Sequence, residues 1–225
     1  METVVFVVTG GELGDPAFLR QQAAAAKPAA VICADRGARH LRAAGIIPTL
    51  IVGDMDSLDG ESIRHYEAQG VRFIRHPRQK DETDTELALD EAFALDPAEV
   101  WIWGGLGYRI DHTLANVSLL MRGAERGVAV KLVDQWCEVF LVIGRTEVAG
   151  EAGQTVSLFP FAGDAAGITL TGFEYPLTRA ALTVGRPRGT SNRLAAARGV
   201  IEVERGRLLA VRYFRPGVFP GEEKE

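Results

Sequence analysis

The stretch VWIWGGLGYRIDHTLANVSLLMRGAERGVAVKLV, residues 100–133, decides the fold class. It begins with the apolar run VWIW and ends with VAVKLV, and both runs are typical of strands that are buried on both faces. Five apolar residues between the two runs fall on one helical face: Leu114, Val117, Leu120, Met121 and Ala124. Gly127 stands where a C-terminal cap belongs. A strand, a helix and a strand in this order predict a βαβ unit.

The same alternation extends back to the start of the chain. Apolar runs rich in Val and Ile occur at residues 4–8, 30–34, 49–53 and 71–74, and segments with helical spacing separate them. Short apolar strands that alternate with helices indicate right-handed crossovers in one sheet. Residues 1–134 are therefore expected to form an α/β domain with a mostly parallel, doubly wound sheet.

The pattern changes after about residue 135. Short runs follow one another between Gly, Pro and charged turns, and several alternate apolar and polar residues as half-buried antiparallel strands do. Residues 135–225 predict a second, all-β domain, a sandwich or a flattened barrel. Within it, GVIEVERGRLLAVRYF, residues 199–214, predicts a hairpin that turns at Arg205-Gly206.

Composition limits the classes of function. The chain has 225 residues, a formal net charge of -5 and 24% charged residues, and a mildly acidic chain argues against nucleic acid as the partner. The first apolar run is too short for a signal peptide or a membrane-spanning helix, so no membrane partner is expected. Cys33 and Cys137 lie in apolar runs and are interpreted as buried free thiols, which favours a cytoplasmic protein.

Carboxylates follow four successive predicted strands. Asp35 follows the second strand, Asp54 and Asp56 the third, Asp84 the fourth, and Asp111 the fifth. Ligands of parallel sheets bind beyond the carboxyl ends of the strands, and clustered carboxylates need a cation. Mg²⁺ prefers oxygen ligands and shares them with substrate phosphates. Residues two apart share a face in an extended segment, so Asp54 and Asp56 are the first choice as metal ligands.

A simpler interpretation exists for each residue alone. Asp and Ser near helix starts are most often caps, Thr83 and Glu86 could form a capping box, and Asp111 could be the N-cap of the following helix. Capping alone is an improbable account of five carboxylates after four consecutive strands.

The loop between residues 104 and 107 carries three glycines. Glycine lets a backbone approach a phosphate, and Arg109 could grip phosphate oxygens with two hydrogen bonds. A tight turn and a surface salt bridge are the respective alternatives. His112 is interpreted as a hydrogen-bonding residue, because no second histidine stands near it as a metal ligand would require.

Seven blocks resemble, in order and spacing, the signature blocks of the thiamine diphosphokinases, also called thiamine pyrophosphokinases. They cover nearly the whole chain: ADRGA (34–38), GDMDS (53–57), DETDTE (81–86), GGLGYRIDH (104–112), SLFPF (157–161), ITLTGFEYPL (168–177) and GTSN (189–192). The resemblance implies an N-terminal α/β domain that binds ATP and Mg²⁺. It also implies a C-terminal β-sandwich that binds thiamine, and a homodimer with active sites between the subunits.

By motif match, Asp54, Asp56 and Asp84 are expected to hold the metal and, with Arg109, to be catalytic. The residues expected to bind the nucleotide and its phosphates are Asp35, Asp81, Thr83, Gly105, Gly107, Asp111, His112 and Asn116. Ser191 and Asn192 are expected near thiamine. The chain departs from the family's pattern at Arg36, where Gly is frequent, and at Arg193, where an acidic residue is frequent.

The implied reaction is attack by the thiamine hydroxyl on the β-phosphorus of ATP, which expels AMP. Asp84 or Asp56 would accept the hydroxyl proton, and Arg109 would take up developing charge. Two alternatives stay open at this stage. The same aspartates could serve a metal-dependent phosphohydrolase of nucleotides or sugar phosphates, or the chain could be a non-catalytic nucleotide or vitamin sensor.

Overall fold

The computed structural model describes residues 3–107 and 109–221, and Tyr108 of the GGLGYRIDH block lies outside them. The chain divides into two compact units, Met1–Gln135 and Trp136–Glu225. Among the described residues, no helix has the length and the apolar content that crossing a bilayer requires.

The first unit alternates strands and helices. Its elements are β1 (Val4–Val8), α1 (Pro16–Ala26), β2 (Ala30–Ala34), α2 (Ala38–Ala44), β3 (Leu50–Gly53), α3 (Gly60–Ala68), β4 (Arg72–Arg75), α4 (Asp84–Phe93), β5 (Glu99–Trp103), α5 (Ile110–Arg126) and β6 (Ala129–Val133). Every described pairing among these strands is parallel, in the order β6-β5-β1-β2-β3-β4. The predicted α/β architecture is therefore confirmed.

The strand order creates one switch point in this sheet. The chain runs outward from β1 through β4 and then returns to place β5 on the other side of β1. In open α/β sheets, ligands bind beyond the carboxyl ends of the strands at such a point. The strands β2 and β3 are buried along their whole length, which explains why their sequences lack polar alternation.

The fully buried face of helix α5 coincides only in part with the face that its apolar residues predict, and Leu120 belongs to both. Its buried residues are Asn116, Leu119, Leu120 and Gly123, whereas Leu114 is 64% exposed. A Cβ on Gly123 would lie 2.3 Å from Val130 Cγ2, so glycine allows the helix to pack closely against β6. The apolar pattern missed part of this face because a glycine and a hydrogen-bonded asparagine lie on it. The helix ends at Gly127 with a φ of 70°, as predicted.

The second unit consists of strands. They are β7 (Cys137–Val142), β8 (Arg145–Ala149), β9 (Thr155–Pro160), β10 (Ala165–Thr171), β11 (Leu177–Leu182), β12 (Asn192–Arg193), β13 (Arg198–Glu202) and β14 (Leu208–Tyr213). Two antiparallel sheets form, with strand orders β12-β9-β14-β7 and β11-β10-β13-β8. One apolar core takes residues from both sheets, among them Leu158 and Leu208 from the first and Ile168 and Ile201 from the second. The predicted sandwich is confirmed.

The predicted hairpin between residues 199 and 214 is wrong. Strand β13 pairs with β8 and β10, whereas β14 pairs with β7 and β9, so the two strands belong to different sheets. The segment between them bonds elsewhere, because the backbone N–H of Ala166 donates to the carbonyl of Arg205 at 2.9 Å. Gly206, with a φ of 83°, then turns the chain into the other sheet. A glycine turn of this kind is found both in hairpins and where the chain crosses from one sheet to another, so the local sequence does not distinguish the two.

Candidate active site

A cleft of about 510 Å³ lies at the carboxyl ends of the parallel strands of the first unit. Its walls come from the loops after β1, β2, β3 and β5 and from the first turns of α4 and α5. Many of the predicted site residues line it together: Asp35, Asp54, Asp56, Thr83, Asp84, Gly105, Gly107, Arg109, His112 and Asn116. Asp81 and Asp111 are exposed and are not among the lining residues, and Ser191 and Asn192 belong to the second unit.

Glycine loops from β1 and β5 join at the floor of the cleft. The backbone N–H of Gly11 donates to the carbonyl of Gly104 at 2.9 Å, and that of Glu12 donates to the carbonyl of Leu106 at 3.0 Å. A Cβ on Gly11 would lie 2.3 Å from the oxygen of Gly104, so no other residue fits without a shift. Asn116 adds a buried hydrogen bond to the carbonyl of Gly105 at 2.7 Å. These contacts bring two backbone segments to the switch point.

The densest group of carboxylates consists of Asp35, Asp54 and Asp56. One oxygen from each lies within 4.8 Å of the others. The prediction that Asp54 and Asp56 share a face of an extended segment is wrong, because the segment is a turn. Met55 has a φ of 64° and is buried between the two aspartates. Asp54 Oδ1 accepts a hydrogen bond from the backbone N–H of Asp56 at 3.0 Å. The burial of the Met55 side chain and this turn therefore bring the two carboxylates together.

Burial and like charge act on Asp35. Burial raises the pKa of Asp35, and the charges of Asp84, Asp54 and Asp56 raise it further, against the hydrogen bond that Ser57 donates to Oδ2. The other oxygen of Asp35, Oδ1, is buried and has no hydrogen-bond partner among the described residues. A buried carboxylate oxygen without a partner, beside two more carboxylates, is a costly arrangement that a cation would relieve.

The exposed side of the cluster is stabilised as an anion. The hydrogen bond from the backbone of Asp56 lowers the pKa of Asp54, and the nearby charges of Lys80 and Arg78 act in the same direction. Arg78 also lies 3.4 Å from Asp56 as an exposed ion pair. The donor set is thus all oxygen and closely spaced, which fits a Mg²⁺ ion.

The sequence reasoning missed Lys80. Its ammonium lies 2.8 Å from Asp84 Oδ1, and its side chain is 12% exposed against 32% for that of Asp84. The only signal for it was the opposite charges four residues apart in QKDETD. Lys80 therefore places a nearly buried cation beside the acidic cluster.

The start of α4 fixes the position of Asp84. Thr83 is the N-cap, and its hydroxyl accepts a hydrogen bond from the backbone N–H of Glu86 at 3.1 Å. The carboxylate of Glu86 lies 3.0 Å from Arg122 Nη1. Thr83 therefore caps the helix while it lines the cleft, and Asp84 is the first residue of the helix.

Arg109 and Asp111 bind each other. Arg109 donates from Nε to Oδ1 at 2.9 Å and from Nη2 to Oδ2 at 2.6 Å, and this pairing holds the pKa of Asp111 well below its usual range. The suggestion that Asp111 caps α5 was wrong, because Arg109 occupies the N-cap position. The guanidinium of Arg109 lines the cleft, but its charge already has a carboxylate partner.

In the second unit, Asn192 is buried and holds the backbone of Tyr175. Its Oδ1 accepts from the N–H of Tyr175 at 3.1 Å, and its Nδ2 donates to the carbonyl of the same residue at 2.9 Å. Ser191 is exposed with a φ of 58°, and its backbone N–H donates to Ser157 Oγ at 3.0 Å. Arg193 lies 3.7 Å from Glu174. Asn192 therefore fixes this loop, while Ser191 is on its accessible side.

Two family models match the chain. Residues 22–132 match the model described as thiamin pyrophosphokinase, catalytic domain, and residues 145–208 match the model described as thiamin pyrophosphokinase, vitamin B1 binding domain. Among curated proteins, the chain is 33% identical over 180 residues to the thiamine pyrophosphokinase of Bacillus subtilis, an alignment that covers 79% of this chain and 84% of that protein. It is 26% identical over 165 residues to thiamine pyrophosphokinase 2 of Oryza sativa, which covers 69% of this chain and 62% of that protein.

Solved structures give the same result. The crystal structure of thiamine pyrophosphokinase from Bacillus subtilis superimposes with a TM-score of 0.83 at 30% identity, and covers 94% of this chain and 99% of that chain. The yeast thiamin pyrophosphokinase structure superimposes with a TM-score of 0.76 at 16% identity, and covers 95% of this chain and 87% of that chain. At that lower identity the likeness concerns the fold.

Proposed function

The chain belongs to the thiamine pyrophosphokinase family and has thiamine diphosphokinase activity, and we propose that it moves the diphosphate of ATP onto the thiamine hydroxyl at the cleft of its first unit. The observation that carries this assignment of the site is the group formed by Asp35, Asp54 and Asp56 at the switch point of a parallel sheet. A polyphosphate with its divalent cation is the ligand that such a group suits.

Asp54, Asp56 and Asp84 are the proposed metal residues, and the unpartnered oxygen of Asp35 supports its addition to the set. When bound, Mg²⁺ would neutralise phosphate oxygens and hold the polyphosphate in one orientation. The ion pair with Lys80 at 2.8 Å holds the carboxylate of Asp84 in place at the cleft.

The residues of the chain would mainly align the reactants, and none would form a covalent bond to the substrate. The thiamine hydroxyl attacks the β-phosphorus, the bond between that phosphorus and the oxygen bridging to the α-phosphate breaks, and AMP leaves. Asp84 or Asp56 accepts the hydroxyl proton. Arg109 would bind phosphate oxygens after exchanging its bonds to Asp111, and backbone groups near Gly105 and Gly107 would approach the phosphates.

The second unit is proposed to bind thiamine and to form a homodimer. The match of residues 145–208 to a vitamin B1 binding model supports the first part, with Ser191 as the proposed contact and Asn192 as the residue that holds the loop. We also propose that the enzyme acts in the cytoplasm. Cys33 is a buried thiol outside any disulfide, as is usual in a reducing compartment.

The test is a product assay with thiamine and Mg-ATP. AMP and thiamine diphosphate are expected in equal amounts, whereas ADP as the nucleotide product would contradict attack at the β-phosphorus. Asp54→Asn and Asp56→Asn should each lose at least about 100-fold in turnover, since each removes a charge that orients the reacting group. The matched control is Glu67→Gln, an exposed carboxylate on α3, which should turn over like the wild type.

The product assay also tests the two alternative functions, a phosphohydrolase and a non-catalytic sensor. The comparisons give no support to a phosphohydrolase, and the assay separates it from the transferase, because a phosphohydrolase would consume ATP without thiamine. A sensor would bind thiamine without any turnover.

A further inference from the structure

We infer that Arg36 binds the polyphosphate chain of the nucleotide; this rests on the function proposed above. Arg36 lies in the 3₁₀ turn Asp35–Gly37 between β2 and α2, one residue after the buried carboxylate of Asp35. It lines the same cleft as Asp54 and Asp56. A guanidinium at this place can meet the phosphate oxygens that the metal leaves unbound.

The turn that carries Arg36 is fixed on both sides. A Cβ on Gly37 would lie 2.0 Å from the carbonyl oxygen of Val8, so this turn packs directly on the end of β1. A Cβ on Gly10 would lie 2.4 Å from the Cβ of Arg36, so the glycine leaves the space that the arginine stem occupies. Asp35 has a φ of 36°, a conformation that only strong surrounding packing maintains. The backbone and Cβ of Arg36 are thus held at the edge of the cleft, so the turn itself need not rearrange when a ligand binds.

Three other cations in or near the cleft already have carboxylate partners. Arg109 is bound by Asp111, Lys80 by Asp84, and Arg78 pairs with Asp56. The guanidinium of Arg36 is exposed and, among residues 3–107 and 109–221, has neither a hydrogen-bond partner nor an ion-pair partner. Its full charge is therefore available to an incoming anion.

The surroundings extend this positive wall. Arg36 and Arg39 also line a second concavity of about 460 Å³, whose other charged residues are Asp59 and Arg42, the latter 4.0 Å from Glu61. Arg39 donates from Nη2 to the carbonyl of Gly10 at 2.7 Å, and among the residues that the structure describes its guanidinium has no ion-pair partner. One wall of the cleft is thus acidic and suits the cation, while the adjoining wall is basic and suits the phosphates. A nucleoside triphosphate with its Mg²⁺ has both requirements, because the metal offsets only part of its negative charge.

The test measures binding without turnover. The ligand is α,β-methylene-ATP with Mg²⁺, in which the bond to be cleaved is blocked, and the dissociation constant is measured by calorimetry. Arg36→Gln should raise this constant by about 10- to 100-fold, the range for loss of a charge-assisted hydrogen bond. Arg36→Lys should have a smaller effect, because it keeps the charge and loses the fork of donors. The control is Arg20→Gln, which removes an exposed charge from α1 and should bind like the wild type.

Each outcome bears on one claim. Wild-type affinity in Arg36→Gln, or no binding of the analogue to the wild type, overturns the role of Arg36. Formation of AMP and thiamine diphosphate by the wild type tests the proposed function separately, so either claim can fail alone. If Arg36→Gln melts at a lower temperature than Arg20→Gln, the affinities of Arg36→Lys and Arg36→Ala for the analogue are compared instead. Equal dissociation constants for these two variants would show that the charge at position 36 does not contribute to binding, and would overturn the proposal.

Discussion

Replacement of Lys80 by Met tests the electrostatic balance of the acidic cluster. Asp84 Oδ1 is buried, and the ammonium of Lys80 at 2.8 Å is its charged partner. The substitution keeps the apolar stem and removes the charge. A carboxylate would then stand uncompensated next to Asp35, whose pKa the charge of Asp84 already raises.

The magnitude follows from burial. Removal of one partner from a fully buried ion pair costs about 3–5 kcal/mol, and loss of a hydrogen bond to a charged group costs about 1.5–3 kcal/mol. The side chain of Asp84 is 32% exposed, so water compensates part of the loss and the lower range applies. We expect Lys80→Met to lower the free energy of unfolding by about 1.5–3 kcal/mol. For a chain of this length, that is a fall of roughly 3–12 °C in the melting temperature.

The assay is thermal and denaturant unfolding at pH 7 without divalent cations, followed by circular dichroism. The double variant Lys80→Met with Asp84→Asn removes the uncompensated charge and should be more stable than Lys80→Met alone. Mg²⁺ should stabilise Lys80→Met more than it stabilises the wild type, because the ion supplies the missing charge. Arg20→Met, at an exposed position, should change stability by less than about 0.5 kcal/mol. An unchanged melting temperature in Lys80→Met, or a double variant no more stable than it, would refute this reasoning.

Two further predictions follow from the site. Gly53→Ala should lower the free energy of unfolding by about 1–3 kcal/mol and should lower AMP formation, because Gly53 has a φ of 150° and an added Cβ would lie 2.8 Å from the Cβ of Asp35. The control is Gly70→Ala: Gly70 has a φ of 76° and open space around it, so this variant should lose stability but keep its turnover. Burial lowers the pKa of His40, whose Nε2–H donates to the carbonyl of Gly11 at 2.8 Å. As the pH falls, the unfolded chain therefore binds a proton at this histidine before the folded chain does. The free energy of unfolding should decrease as the pH drops below the ordinary histidine value of about 6.5. Unfolding of His40→Gln between pH 7 and pH 5 should therefore show a smaller loss than the wild type, and equal losses would contradict the assignment.

The apolar runs predicted the parallel sheet for a simple reason. A strand that is buried on both faces must be apolar at every position, as β2 and β3 are, and the helices between such strands require parallel crossovers. The position of the carboxylates after the strands then placed them at one edge. The apolar pattern of α5 predicted the buried face only in part, because Asn116 is buried by a hydrogen bond and Gly123 by close contact with Val130.

Local sequence could not separate a hairpin from a crossing between sheets. The residues around Gly206 satisfy both, and the choice depends on which sheet can bury the next strand, β14, against the shared core. Local sequence also gave Arg109 as the cation for phosphate. The structure pairs that arginine with Asp111 and leaves Arg36 without a partner among the described residues, a difference that depends on side-chain contacts.

The sequence by itself determined the two fold classes, the family resemblance and the delivery of acidic residues to one edge of a parallel sheet. Only the tertiary structure decided which carboxylate oxygens come within 4.8 Å of one another and which cations stay available. The reason is that Asp35 and Met55 adopt left-handed backbone conformations, at φ values of 36° and 64°, that local propensity disfavours. The packing of neighbouring strands and of the turns that follow them maintains those conformations, and with them the geometry of the site.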